Sequence, residues 1–454
     1  SRSRSLKRLA FVSPLPPQKS GIADFSGDLM CALREHLPVT AFVCCEALQD
    51  VRGEVEGSVE PIVSLPDMVR NGEVDAVLYE VGNSDAFHGF MLPYLAALPG
   101  VVELHDGVLH GLIYSNTLRT GDEQQYVHEL SYAHGPTGYE QACDVMRGWE
   151  PPALYAMPAN RRVVNHAVSL IVHNEWTARA AASHGTNLPI EVINHPVAQG
   201  ETAKSLDRHR ARCELGLAPD TLMLATFGRL ERNKRLDVIL RVFSQLREEF
   251  SNASLFLVGK LGASSIDFDV PELIQSLGIA DSVKITGHVE RSRFVAYMAA
   301  TDIGLNLRYP HAGETSGTLV RLLSAGVPTI TSNVGAFAEF PDDCCWKVDV
   351  GVTEERLLLA YLRRLAVDES LRRRMSANAV EFAETQIPTW KQAASMYLDF
   401  IQESLSSQAS LVPHMQTGGE ALQSMSSLRL MDSGLPRSRS IWRTMRQFLL
   451  GSRD

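Results

Sequence analysis

The feature that most constrains this chain is a rhythm. Short, β-branched apolar runs alternate with amphipathic segments of helix length as far as about residue 405. Parallel strands need long connections and a helix supplies one, so this alternation predicts parallel sheets with helices on both faces. The strand candidates of the first half are LAFVSPL (9–15), VTAFVCC (39–45), AVLYEVG (76–82), VVELHD (101–106), SLIVHN (169–174) and IEVINHP (190–196). A second set follows: LMLATFGRL (222–230), SLFLVGKL (254–261), VKITGHV (283–289), IGLNLRY (303–309) and PTITSN (328–333). A polar stretch near Val197–Asp207 separates them, which predicts two doubly wound α/β domains, residues 1–196 and 208–384. Ligands of such sheets bind outside the carboxyl ends of the strands, so an active site is expected in a cleft between two facing domains.

Composition narrows the function. A chain of 454 residues can bury two or three ordinary cores. Its net charge of −10 lacks the basic footprint of a nucleic-acid binder. Seven scattered cysteines without a CxxC argue against a disulfide framework and against structural zinc. No apolar run is long enough to span a bilayer. The basic start SRSRSLKR precedes only a strand-length apolar segment, unlike a secretory leader. A cytoplasmic enzyme is the expectation.

Two regions fall outside the rhythm. Residues 106–165 are too long for a simple crossover and carry Tyr114, Tyr126, His128, Tyr132, His134, Tyr139 and Trp149. They read either as a helical insertion with an aromatic core or as part of an acceptor site, since aromatic and His side chains can stack on and hydrogen-bond a sugar. From residue 406 the chain is punctuated by Ser, Gly and Pro, and six arginines face only Glu420, Asp432 and Asp454. Its last segment, IWRTMRQFLLGSRD, puts Ile441, Trp442, Met445, Phe448 and Leu449 on one helical face, opposite Arg439, Arg443 and Arg446. That pattern suits a membrane surface, through residues 437–450, and equally a helix docking on protein.

Three stretches could carry chemistry. In SPLPPQKSGIADF a strand runs through a Pro/Gly loop into a helix near Ile22, and Gly21 lets a ligand approach the helix start. It is not GxGxxG, so a dinucleotide enzyme is poorly supported. In ATFGRLERNKRLDVIL a strand ends at Gly228, and Arg229 and Lys234 follow in the loop before an amphipathic helix. One planar fork and one point charge at a strand's carboxyl end can reach a diphosphate, although a run of cations is often only a solvated face. In HAGETSGTLVRLLSAGVP, Ser316, Gly317 and Thr318 suit a helix start whose amides point at a phosphate. Glu314 just before them cannot favour phosphate and is suited to accept hydrogen bonds from sugar hydroxyls.

Taken together, SGIADF, FGRLERNKRLDVIL, ITGHV, ETSGTLVRLLSAGVP and SNVGAFAEFPDD resemble a family-four glycosyltransferase of the retaining GT-B class, in the family's order over residues 9–405. The resemblance implies a nucleotide-sugar donor, GDP- or UDP-linked, gripped at its diphosphate by Arg229, Lys234 and the amides of Gly317–Leu319. The backbone at His288 and Val289 receives the base, Glu314 holds sugar hydroxyls, and Gly21 sits against the phosphates. His105 matches a family histidine beside the donor sugar, with Asp106 and Asn83 as possible accessories. It further implies a hexose transferred to a hydroxyl of a glycan or lipid-linked acceptor, no cofactor, and no metal, against the reading of His105, Asp106 and His110 as ligands. Residues 385–405 resemble the family's helix that crosses back to the first domain, anchored by Trp390 and Tyr397.

One departure stands out. The family's motif carries a second glutamate that binds the nucleotide ribose, and here Leu322 or Arg321 occupies that place, depending on alignment. Arg321 is expected to meet a phosphate or a neighbouring acid such as Glu339. Alternative readings are a GT-B sugar-phosphate synthase or phosphorylase, and a non-catalytic GT-B scaffold serving a partner glycosyltransferase.

Overall fold

A computed structural model describes residues 6–185, 187–262 and 268–408. Its contacts divide the described residues into two compact units: 6–193 with 312–314 and 390–408, and 194–311 with 315–389.

The first unit holds a seven-stranded parallel sheet. Its strands are β1 (Leu9–Val12), β2 (Val39–Val43), β3 (Val59–Pro61), β4 (Ala76–Val81), β5 (Val101–Leu104), β6 (Ser169–Val172) and β7 (Ile190–Val192), in the order β3-β2-β1-β4-β5-β6-β7. Strands β1, β4, β5 and β6 are buried along their whole length, as parallel strands covered on both faces must be. Alternate residues serve two cores. Leu9, Phe11 and Leu78 pack under the helices Gly21–Arg34 and Trp390–Gln408, through Phe25, Leu29, Tyr397 and Ile401. Ala10, Val12, Val77 and Tyr79 pack on the other face against Leu92, Leu95, Leu112 and Val163. Strand β3 escapes the sequence reading because it has three residues and ends in a proline.

The insertion is helical: His110–Asn116, Glu123–Met146 and Arg161–His166. The long helix breaks at Gly135, φ 61°, before Pro136. Its small core gathers Ile113, Tyr126, Leu130, Ala142 and Ala159. Of the seven rings named for that stretch only Tyr126 is fully buried, whereas Trp149 is 71% exposed.

The second unit holds six parallel strands: β8 (Leu222–Phe227), β9 (Ala253–Val258), β10 (Val283–Ile285), β11 (Ile303–Asn306), β12 (Thr329–Ser332) and β13 (Cys345–Val348), ordered β10-β9-β8-β11-β12-β13. Helix Leu236–Glu249 buries Leu236, Ile239, Leu240, Phe243 and Leu246, the stripe its sequence spacing predicts, against Leu358 and Leu362 of helix Glu354–Val367. Strand β13 was not legible as a strand, since Cys345, Trp346 and Lys347 break the β-branched pattern.

Both halves are thus doubly wound α/β units of the GT-B kind. None of the described helices is long and apolar enough to cross a membrane. The expected tail helix at 437–450 lies outside the described residues.

Candidate active site

In the second unit the chemistry-bearing residues converge where β8 and β11 end. Strand β8 delivers Gly228 and a short turn, Arg232–Lys234, which carries Lys234 inward. Lys234 is buried, 5% exposed, and its ammonium donates to the carbonyl of Phe227. A Cβ on Gly228 would lie 3.3 Å from Lys234 Nζ and 3.4 Å from Thr318 Cγ2, so the cation stands at the start of helix Gly317–Ser324. Arg229 parts company with it. Its side chain is exposed and its Nε donates to Glu231 at 2.8 Å.

The helix start itself is tightly organised. Ser316 caps it, its oxygen accepting from Leu319 N at 3.3 Å, so the Leu319 amide expected to face a phosphate already has a partner. The Ser316 and Thr318 hydroxyls both donate to Asn306 Oδ1, at 2.9 and 3.2 Å. The buried Arg308 extends a guanidinium to Ser316 Oγ at 3.5 Å. A Cβ on Gly317 would meet His195 Nε2 at 2.9 Å, so the ring lies against that backbone. What remains is an electropositive end: the Gly317 and Thr318 amides, the Lys234 ammonium and the Arg308 guanidinium. Asn306, Arg308 and His195 were missed because no local spacing ties them to a helix start eight or more residues away.

His288 and Val289 follow β10; the first is exposed, and the second packs partly buried on the core around Met223 and Tyr297. Arg321 corrects an expectation. It donates to Glu201 Oε2 at 2.9 Å rather than to Glu339, and Arg291 holds the other oxygen of Glu201 at 3.0 Å. Glu201 lies 120 residues from Arg321 in a stretch the sequence marks only as polar, which hid the pairing.

Glu314 falls, by its contacts, with the first unit. Gly313, at φ 79°, offers its carbonyl to Asn174 Nδ2 at 3.0 Å and to the Thr177 hydroxyl at 2.8 Å. A Cβ there would strike Trp176 at 2.2 Å, so only glycine fits. Glu314 Oε2 accepts from Ala312 N at 2.7 Å. Burial, helped by the Glu314 charge, raises Asp106 to about 7. Asp106 Oδ2 accepts from Asn83 N at 2.7 Å, and Asn83 Oδ1 accepts from Leu112 N at 2.9 Å. The two acids and Asn83 therefore form a surface able to bind hydroxyls. Gly21 opens helix Gly21–Arg34 with open space around it, after the Ser20 cap.

His105 follows β5 and is buried, 8% exposed. Its Nε2 lies 2.7 Å from Glu80 Oε2 and 4.0 Å from Glu103 Oε1. Burial lowers it to about 3, so the ring is neutral. The reading of His105, Asp106 and His110 as metal ligands fails on placement. His110 turns away, its Nε2 on the Tyr126 hydroxyl at 2.9 Å and its Nδ1 on the Ala153 carbonyl at 3.0 Å. A different trio, Glu103, His105 and His173, clusters closely enough to hold an ion. Its polar atoms already meet protein groups: Glu103 Oε1 takes the Tyr397 hydroxyl and faces His173 Nε2 at 2.8 Å, and His173 Nδ1 donates to Ile193 O at 2.8 Å.

Known proteins share this fold. Residues 207–382 match the family described as "Glycosyl transferases group 1". The chain is a GT-B protein related to that family. It is 23% identical over 295 residues to D-inositol 3-phosphate glycosyltransferase 2 of Catenulispora acidiphila, covering 62% of this chain and 68% of the relative. A D-inositol 3-phosphate glycosyltransferase of Streptomyces bingchenggensis is 23% identical over 363 residues, 77% of this chain and 79% of its own. Anabaena HepE, solved in complex with UDP, shares the fold with a TM-score of 0.61 at 16% identity, over 89% of this chain and 100% of that one. The matched span of the GT-B chain contains Arg229, Lys234 and the whole helix start at Ser316.

Proposed function

We propose that this GT-B chain transfers a hexose from a nucleotide-diphosphate sugar to a hydroxyl acceptor, with retention at the anomeric carbon and without a metal. The observation that carries the reading is the electropositive end made by Lys234, Arg308 and the amides of Gly317 and Thr318. In glycosyl transfer the bond from the anomeric carbon to the phosphate oxygen breaks, and negative charge gathers on the departing diphosphate. Fixed positive groups at that point lower the barrier because they need no reorganisation. The acceptor oxygen forms the new bond on the face the diphosphate leaves, and its proton passes to the leaving phosphate. Asp106, Glu314 and Asn83 bind hydroxyls of the sugar.

UDP is the nucleotide favoured, because HepE was solved with UDP and with UDP-glucose. The acceptor class follows two hints. The sequence relatives are glycosyltransferases named for an inositol phosphate, and WaaG, a structural neighbour, is involved in lipopolysaccharide biosynthesis. We read the acceptor as a glycan or lipid-linked sugar at the cytoplasmic membrane face, with residues 437–450 contacting the membrane.

A thermal-shift panel with UDP, GDP, ADP and dTDP, followed by donor turnover with the sugars of the stabilising nucleotide, tests this. UDP is expected to stabilise most. Turnover should persist in EDTA, with the anomeric configuration kept by NMR of the product. A chain that no nucleotide stabilises and that turns over no donor is the non-catalytic scaffold instead.

A further inference from the structure

Two glutamates stand where a parallel sheet ordinarily tolerates none. Glu80 on β4 and Glu103 on β5 are direct cross-strand neighbours, and both are fully buried. Both point to the face covered by helices Gly21–Arg34 and Trp390–Gln408, where Tyr397 reaches Glu103. Two ionised carboxylates side by side in that setting are not sustainable, so the pair carries one proton. Their surroundings say which holds it. Glu103 Oε1 accepts the Tyr397 hydroxyl and lies 2.8 Å from His173 Nε2, with His105 Nε2 at 4.0 Å. Burial pushes Glu103 up, but its contacts with the His105 and His173 rings and with Glu80 hold it below the usual carboxylate range. Burial and the Glu103 charge push Glu80 far above the usual carboxylate range.

The proton's position on Glu80 is also fixed. Glu80 Oε1 and Glu103 Oε2 belong to cross-strand neighbours, and both are buried and meet no hydrogen-bond partner among the described residues. A proton on Glu80 Oε1 satisfies both atoms at once. Placed on Oε2 instead, it would leave both oxygens unsatisfied in a dry interior. With Oε1–H given to Glu103, Glu80 Oε2 is an acceptor, and its partner at 2.7 Å is His105 Nε2. His105 is therefore the Nε2–H tautomer. Its Nδ1 makes no hydrogen bond among the described residues. Phe25 stands edge-on to both His105 and His173, at centroid distances of 4.9 and 5.1 Å, and restrains the rings. From the short helix Asp85–His88, which follows β4, His88 contributes only Nδ1–H, to the Glu80 carbonyl at 3.0 Å.

We propose that Glu80 is a positioning residue for His105: as a neutral acid bonded to Glu103, it accepts the His105 Nε2–H and so presents Nδ1 as an acceptor for a substrate hydroxyl. The substrate role of Nδ1 rests on the glycosyl-transfer reading above. The tautomer does not.

The decisive measurement is nitrogen-15 NMR of the imidazoles in the full chain, with His105 assigned by its substitution. A neutral Nε2–H ring at pH 7 is expected, and an Nδ1–H ring or a protonated one overturns the assignment. Glu80→Gln separates a neutral acid from an anion. Its amide carbonyl can accept from His105 while its NH2 donates to Glu103, so tautomer and kcat should hold within about threefold. Glu80→Ala should scramble the tautomer and lower kcat by about 10–100-fold with KM little changed. If Glu80→Gln is as damaged as Glu80→Ala, Glu80 acts as a carboxylate and the proposal fails. If Glu80→Ala does not fold, the wild-type spectrum and Glu80→Gln still decide. Unchanged turnover in His105→Ala overturns the substrate role of Nδ1, whereas the spectrum alone judges the Glu80–His105 tautomer.

Discussion

In the second unit, strands β8 and β11 are free of charge along their length, and buried charge appears only past their ends, at Lys234 and Arg308. In the first, Glu80 and Glu103 lie inside β4 and β5, with His105 and His173 just beyond, all buried. The difference is one of solvation. A cation at a strand end shares its burden with carbonyls and ligand, so it can be built from one local motif. A carboxyl inside a sheet has no water to fall back on, and each polar atom needs a partner from another strand or helix. The second unit is therefore electrostatically open toward an anion, and the first electrostatically closed upon itself. The first spends that closure on orienting one imidazole.

Substitutions can break this contrast, beginning with the strongest. Lys234→Ala removes the buried cation at the helix start and should cost about 2–4 kcal/mol of transition-state stabilisation in kcat/KM for the donor. Unimpaired turnover would remove the second unit's cradle from the mechanism.

Asp106→Asn probes the first unit. The native state holds the Asp106 proton with a pKa of about 7 against 3.8 for the free group. Its contribution to stability is therefore full below about pH 4 and is lost as pH rises through 7. Asparagine escapes that loss while its side-chain oxygen can still accept from Asn83. The variant should be the more stable protein at pH 8, by on the order of 2–4 kcal/mol, with the gap narrowing at pH 5. Denaturant midpoints at the two values check it, and a gap that widens on acidification refutes the buried-acid reading.

Glu201→Ala tests the clasp that replaces the expected second glutamate. It frees Arg291 and Arg321, which are partly exposed and can rehydrate, so the loss should be about 1–2 kcal/mol. Because both arginines lie near the segments expected to meet the nucleotide, its UDP affinity, read by titration calorimetry, shows whether the clasp is structural only. The smallest effect belongs to Arg229→Ala. That side chain is 68% exposed and paired with Glu231, so the ion pair is worth less than about 1 kcal/mol of stability. A loss of turnover equal to that of Lys234→Ala would show that Arg229 swings onto the donor.

Much of this was legible. Periodicity located eleven of the thirteen described strands, and the amphipathic helix expected after Lys234 is present at Leu236–Glu249. Ser316, Gly317 and Thr318 announce a helix start because capping is a matter of neighbouring residues. The misses share a cause. Arg321 was expected to meet a phosphate or a neighbouring acid such as Glu339, and it pairs with Glu201 instead. LYEVG and VELHD did show glutamates amid β-branched residues, a signal that something costly was buried, but not with whom.

The sequence by itself determined the two doubly wound units, their helix starts and the cationic turn at Lys234, because hydrophobic period, capping and turn chemistry act over a few residues. Tertiary structure alone decided that Lys234 turns inward while Arg229 turns out, that Glu201 clasps Arg321, and that Glu80, Glu103, His173 and Tyr397 close around His105. Those outcomes depend on desolvation and hydrogen-bond satisfaction between strands and helices up to 294 residues apart, and such energies exist only once the chain has folded.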